Sequence, residues 1–222
     1  MDIVNKTTLS EQIYKILRND IINQTIKCGE KLTLKNLMAR FNVSSTPVRE
    51  ALTRLSQDDL VSYYSNIGVR VVELEKADVA QIYDFSRELD CMAIKFAFEN
   101  TSYKEIANDL EDVLKLSSKA LKSEDLEKFR KTSDDFHDVF YKYSNNSRLF
   151  NAATKIRGQF SILTKIYQSY TVNISIVNSE HTEIYEAVLE NDLDKVLILM
   201  NNHFNHSKNY LINSIENFGK VV

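Results

Sequence analysis

Apolar residues recur at helical spacing along almost the whole chain. Leu9, Ile13, Ile16, Leu17 and Ile21 share one helical face, Leu34, Leu37, Met38 and Phe41 a second, and Val48, Ala51, Leu52 and Leu55 a third. Thr33 is placed to cap the second of these helices, Gly29 marks a turn before it, and Asn42-Val43 breaks the chain after it. The period then changes. Val61, Tyr63, Val69 and Val71 alternate on either side of Ser65-Asn66-Ile67-Gly68, which predicts a short β-hairpin with Gly68 near its tip. From Glu75 the helical period returns and predicts helices over 76–99, 103–122, 124–144, 147–168, 178–190 and 192–215. Ser169 to Ser179 is polar and β-branched and reads as a loop.

The single proline, Pro47, opens the third predicted helix directly after Ser44, Ser45 and Thr46. Proline is tolerated in a helix's first turn, where its missing N–H has no intrahelical partner, and hydroxyl residues before it suit the cap. Two helices joined by a turn of three or four residues form a helix-turn-helix. The second helix presents small hydroxyls, a positive dipole end and Arg49, the groups that meet phosphates and base edges in a major groove. Arg54 lies further along it, and the hairpin, with Arg70, forms a wing. A capped helix in an ordinary bundle is the alternative.

Composition supports a mainly helical protein. With 4 Gly and 1 Pro in 222 residues, a turn-rich β-sandwich is disfavoured. No apolar run approaches the roughly 20 residues of a membrane span, and the first residues lack a signal-peptide core. Cys28 and Cys91 form no CxxC pair, which suits a reduced, cytoplasmic setting. The net charge of −3 is unevenly shared: the first 72 residues hold ten Lys/Arg against seven Asp/Glu, the remainder 18 against 24. A basic first third on an acidic remainder predicts two domains, 1–74 and 75–222, the first suited to a polyanion.

The stretch VSSTPVREALTRLSQDDLV, Val43 to Val61, resembles the helix-turn-helix signature of the GntR family of bacterial transcription regulators; Ser44, Thr46, Pro47, Val48, Arg49, Glu50, Ala51, Leu52 and Leu55 match it, and GEKLTLKNLMARFNVS resembles the segment before it. The resemblance implies a winged helix that binds double-stranded operator DNA. Ser45 stands where the family usually has arginine. The expected DNA contacts are Arg49 above all, then Lys35, Arg40, Ser44, Ser45, Thr46, Pro47, Arg54, and Asn66, Gly68 and Arg70 of the wing. Arg40 and Arg54 read equally well as solvated helix charges.

All four histidines lie in the acidic remainder. His137 shares a helical face with Phe129, Phe136 and Phe140, His181 with Ile184, Tyr185 and Val188, and His203 with Val196, Leu199, Met200 and Phe204. Three inward-facing histidines from three helices either converge on a divalent metal or serve as hydrogen-bonded core residues. DDFHDVFYKYSNNSRL, SEHTEIYEAVLENDLDKV and LMNNHF resemble the all-helical FCD effector domain of the FadR subfamily. That resemblance implies an all-α bundle that dimerises, a metal of the zinc, nickel or manganese class held by an aspartate and three histidines, and a small anionic effector, in most cases a carboxylate. By motif the histidines are His137, His181 and His203; His206 has no counterpart and reads as surface.

Two positions depart from the family pattern. Ser133 occupies the usual aspartate position, and Asp134, one turn before His137, is the substitute expected to reach the same face. Ser86 stands where an effector-holding arginine is usual, with Arg87 displaced by one residue; Arg148 and Arg157 are further anion partners. The chain therefore reads as a homodimeric, ligand-responsive DNA-binding regulator and not an enzyme. Two alternatives stand beside it: a metal-independent sensor of a larger effector such as an acyl-CoA, and a metal-dependent enzyme. The second lacks support, since His181-Thr-Glu-Ile-Tyr is not HExxH.

Overall fold

The structure, a computed structural model, describes residues 7–65, 68–167 and 174–218. It divides into two units, Met1–Asp78 with Lys155–Ser169, and Val79–Thr154 with Tyr170–Val222.

In the first unit, α1 (Leu9–Ile22) begins where the Thr8 hydroxyl accepts the Glu11 N–H. It buries Ile13, Leu17 and Ile21. Leu9 and Ile16 lie at the edge of that stripe and are exposed, so the buried face is narrower than the sequence predicts. Helix α2 (Leu34–Phe41) is capped by Thr33, as expected, and buries Leu37. Asn42 ends it in the left-handed region, which asparagine tolerates better than most residues. The turn Asn42-Val43-Ser44 leads into α3 (Ser45–Gln57), which buries Val48, Ala51, Leu52 and Leu55, the face the sequence predicts.

The hairpin forms from β2 (Val61–Tyr64) and β3 (Gly68–Val71). Its expected tip residue Asn66 lies outside the described residues. Lys31–Leu32 adds a short strand, β1, that periodicity does not reveal because two residues are too few to show one. The antiparallel sheet has the order β1-β3-β2, with Leu32 opposite Val69 and Val61 opposite Val71. Gly29, just before β1, has φ +74, a backbone conformation that favours glycine.

The second unit is helical. It contains α4 (Lys76–Asn100) from Val79 on, α5 (Tyr103–Lys122), α6 (Leu126–Tyr143), the start of α7 (Ser147–Tyr167), α8 (Ile174–Leu189) and α9 (Leu193–Phe218). Helix α5 packs on α6 and α8, and α8 on α9. Side-chain caps from Ser102 and Asp125 and left-handed Asn145 and Asn191 fall in the breaks the sequence marks. The stretch read as a loop needs correction where it is described: α8 already starts at Ile174. β-branched residues lower helix propensity only slightly, and tertiary contact overrides them; the Ser117 hydroxyl donates to the Asn178 side chain at 2.9 Å. Residues 169–173 of that stretch lie outside the described residues.

A division at residue 74 would leave all of α7 in the second domain, yet Lys155–Ser169 groups with the first unit. Gly158 is the local reason. A Cβ there would stand 2.9 Å from Leu60 Cδ2, so only glycine lets the helix lie this close to the residue that leads into β2. The Gln159 side chain adds a bond to the Asp59 carbonyl at 3.1 Å.

Candidate functional site

The first candidate surface is the exposed side of α3. Ser44 takes the N-cap conformation, yet its side chain makes no cap hydrogen bond. The first-turn N–H groups are thus left for an external acceptor, the usual setting for anion binding at a helix start. Pro47 sits in this first turn. Thr46 and Arg49 line an open cleft with Ser10, Thr53, Arg54 and Gln57.

The basic residues named from the sequence fall into two groups. Arg49 and Lys35 are exposed and make no ion pair with a described residue. The others are engaged within the fold. Arg40 pairs with Asp20 at 2.6 Å and lies over the Phe41 ring. Arg54 pairs with Glu11 and stacks on Tyr14, 4.3 Å from the ring centroid. Arg70 donates to the Gly29 carbonyl at 2.7 Å and so ties the wing to the turn before β1. Gly68 opens β3 with φ +97. Tyr63, which the alternation grouped with Val61, Val69 and Val71, instead stands exposed on β2 beside Tyr64, and sequence reasoning did not single out the polar edge formed by Ser10, Thr53 and Gln57.

The second candidate site is a histidine cluster inside the helical unit. Helices α6, α8 and α9 each contribute the residue the sequence predicts: His137, His181 and His203 each offer a ring nitrogen, and these atoms lie within 4.8 Å of one another. The ring centroids form a triangle with sides of 5.1, 5.4 and 4.8 Å. His181 stacks face to face on Phe136 at 4.1 Å. His181 and His203 are buried and His137 nearly so.

Each outer ring is held by a carboxylate that sequence reasoning did not assign. His137 Nδ1 lies 2.5 Å from Asp90 Oδ2, and the Tyr141 hydroxyl donates to Asp90 Oδ1 at 2.6 Å. His203 Nδ1 lies 2.7 Å from Glu180 Oε2, and His206 Nδ1 lies 2.7 Å from Glu180 Oε1. The signal for Asp90 was present: it sits on the apolar face of α4 with Ile82, Ser86, Leu89, Ala93 and Ala97, and a buried carboxylate on such a face needs partners. Asp134, the expected fourth ligand, is exposed on α6 and does not join the group of ligand atoms, because its position in the helix turns it away from the face that carries Phe136 and Phe140.

Electrostatics favour neutral imidazoles. Burial, reinforced by the neighbouring His203 and His137, pushes His181 well below the ordinary histidine value. Burial also lowers His203, against the opposing pull of Glu180. Burial disfavours an ionised Glu180, but hydrogen bonds from His203 and His206 outweigh it and hold its carboxyl below the usual range. The Nε2 atom of His181 is buried with no hydrogen-bond partner among the described residues. Buried polar atoms are rarely left so, and an imidazole nitrogen of this kind among two further imidazoles suits a metal ligand. The donor set thus suits a borderline divalent metal.

The expected anion-binding arginines do not gather as one set. Arg87 is held by Asp84 and Glu88 and reaches Asn205. Arg148 is exposed in the first turn of α7, and Arg157 is half-buried in the segment of α7 that belongs to the first unit.

Known proteins agree with this architecture. Residues 9–71 match the bacterial regulatory proteins of the gntR family, and residues 81–206 match the FCD domain. The HTH-type transcriptional regulator YdhC of Bacillus subtilis is 27% identical over 207 residues, 92% of each chain. The transcriptional repressor RspR of Escherichia coli is 24% identical over 195 residues, 88% of this chain and 85% of its own. The solved structure of E. coli McbR/YncC superposes with a TM-score of 0.78 at 21% identity, covering 94% of this chain and 99% of that one. Within the described residues no helix is long and apolar enough to cross a membrane. A winged helix followed by an FCD effector domain makes this chain a DNA-binding transcriptional regulator, and it belongs to the GntR family.

Proposed function

We propose that the regulator controls operator binding in response to a small anionic effector, a carboxylate, recognised beside a divalent metal held by His137, His181 and His203. The observation that carries this reading is the convergence of three imidazoles on a buried Nε2 that has no hydrogen-bond partner among the described residues. A metal bound by these three residues would offer an open position to an oxygen ligand. Imidazole donors suit zinc and nickel, whereas manganese prefers oxygen ligands and is the poorer match to this donor set. The Asp90 and Glu180 carboxylates beside the cluster are taken up by His137, Tyr141, His203 and His206, which suits a binding site for a sensed ligand.

In this reading the chain acts in the cytoplasm as a homodimer whose two winged helices bind a near-palindromic operator. Arg49, Lys35 and the first turn of α3 make the principal DNA contacts. The effector acts only through its different affinity for the DNA-competent and incompetent arrangements.

Metal analysis by mass spectrometry tests the reading, using tag-free wild type beside His203→Ala. One ion per chain in the wild type, lost in the variant, is the expected result. No metal in either would overturn the sensor site and leave the alternative of a larger, metal-independent effector such as an acyl-CoA.

A further inference from the structure

We propose that Asp90 and Glu180 are positioning residues that fix a proton on Nδ1 of His137 and of His203, so that both rings turn a bare Nε2 toward His181. The inference rests on the metal-sensor reading and deepens it.

The argument rests on what a carboxylate can do. A carboxylate with one oxygen already accepting a hydrogen bond presents the other as an acceptor as well, so the ring nitrogen in contact with it carries the proton and the other nitrogen keeps its lone pair. Asp90 lies 2.5 Å from His137 Nδ1 and Glu180 lies 2.7 Å from His203 Nδ1. Both contacts come from outside the motif that resembles the family's metal-binding segments on α6: Asp90 belongs to α4 and Glu180 to α8. Each carboxylate is itself held by a second donor, Asp90 by Tyr141 and Glu180 by His206. Asp90 is only 4% exposed, so water cannot compete for its oxygens. With Nδ1 of each outer ring engaged by a carboxylate, Nε2 is the atom that ring has left to join the buried Nε2 of His181. Outer carboxylates of this kind orient metal-binding histidines and raise their basicity, and losing one typically costs 10–100-fold in metal affinity.

Asp90→Asn is the discriminating substitution. It keeps the size of the side chain. With its Oδ1 still accepting from Tyr141, the amide turns N–H toward His137 Nδ1, and the ring must then move its proton to Nε2. Turning the amide over instead would leave the buried Tyr141 proton without its acceptor, which is costly. Glu180→Gln is expected to be milder, because one amide can still present its oxygen to His203 and its N–H to the exposed His206.

The experiment is nitrogen NMR of histidine-labelled, metal-free protein, followed by zinc(II) affinity measured against a competing chelator. In the wild type His137 and His203 should both show the Nδ1–H form. Asp90→Asn should move His137, and not His203, toward Nε2–H and weaken zinc binding about 10–100-fold. A wild-type His137 in the Nε2–H form overturns the proposal whether or not the variant folds. So does an Asp90→Asn protein with unchanged tautomer and unchanged zinc affinity. If the wild type shows both Nδ1–H forms and yet binds no zinc, the metal-sensor reading fails while the placement of the protons by Asp90 and Glu180 is upheld.

Discussion

The two sites of this regulator treat charge in opposite ways. On α3 the proposed DNA-contacting cation, Arg49, is exposed and makes no ion pair with a described residue, while Arg40, Arg54 and Arg70 are spent on the fold. In the helical unit the clustered imidazoles are drawn inside and the outer two are paired with carboxylates, while the buried His181 Nε2 has no hydrogen-bond partner among the described residues. DNA supplies a dense line of negative charge, so a protein surface need only hold free cations in register. A small ligand supplies little binding energy of its own, so its site must be built and desolvated in advance. An available group is therefore recognised differently in the two places: by freedom from ion pairs on the surface, and by lack of a hydrogen bond in the core.

The strongest test of this contrast is to remove the scaffold of the inner site. Phe136 is fully buried and stacks on His181. Replacing it with alanine should cost about 3–5 kcal/mol of stability, the usual range for an emptied aromatic position. Urea denaturation of chelator-treated protein would read this directly. A cost below about 1 kcal/mol would mean that the cluster collapses onto the space and is not pre-built.

On the DNA side the comparison is sharpened by two arginines on one helix. Arg49→Ala should lower affinity for a DNA fragment selected by the protein from a random pool by about 1–3 kcal/mol if it reads a base. If it meets a phosphate, the salt dependence should flatten by about one unit instead. Arg54→Ala should leave binding nearer to wild type and act mainly by releasing Glu11 and the Tyr14 ring. Fluorescence anisotropy across a salt series separates these outcomes. Equal losses from the two variants would break the distinction between free and fold-committed arginines.

The same contrast explains how much was legible in the sequence. The helix-turn-helix is local: Thr33, Asn42 and Pro47 mark its boundaries within 15 residues, and the buried face of α3 follows from spacing alone. The histidines were legible too, because each sits on an apolar stripe. Their partners were not. Asp90 and His137 are 47 residues apart, and Glu180 meets His203 across 23. Spacing on α6 instead pointed to Asp134, which neighbours His137 in sequence but faces away. Nor does a sequence tell a free arginine from a paired one, since the Asp20 that engages Arg40 belongs to a different helix. The grouping of half of α7 with the first unit depends on the close approach of Gly158 to Leu60, a contact across nearly 100 residues.

The mildest test uses pH on metal-free protein. His181 is pushed below its ordinary value by burial and by the two neighbouring imidazoles, and His203 by burial. In the unfolded chain both titrate near 6.5. Over the range below that value the unfolded state binds more protons than the folded one, so stability rises with pH there. The contribution is fully present above about pH 6.5 and is lost as the pH falls. Urea midpoints measured in chelator should therefore drop between pH 8 and pH 5.5, before the carboxylates begin to titrate. His181→Phe can keep the stack on Phe136 while removing the buried ionisable ring, so its profile over the same range should be flatter. A midpoint that rises on acidification, or a variant with the wild-type slope, would show that His181 is not held neutral by its surroundings, and the difference drawn between an inner site that suppresses charge and an outer one that displays it would be lost.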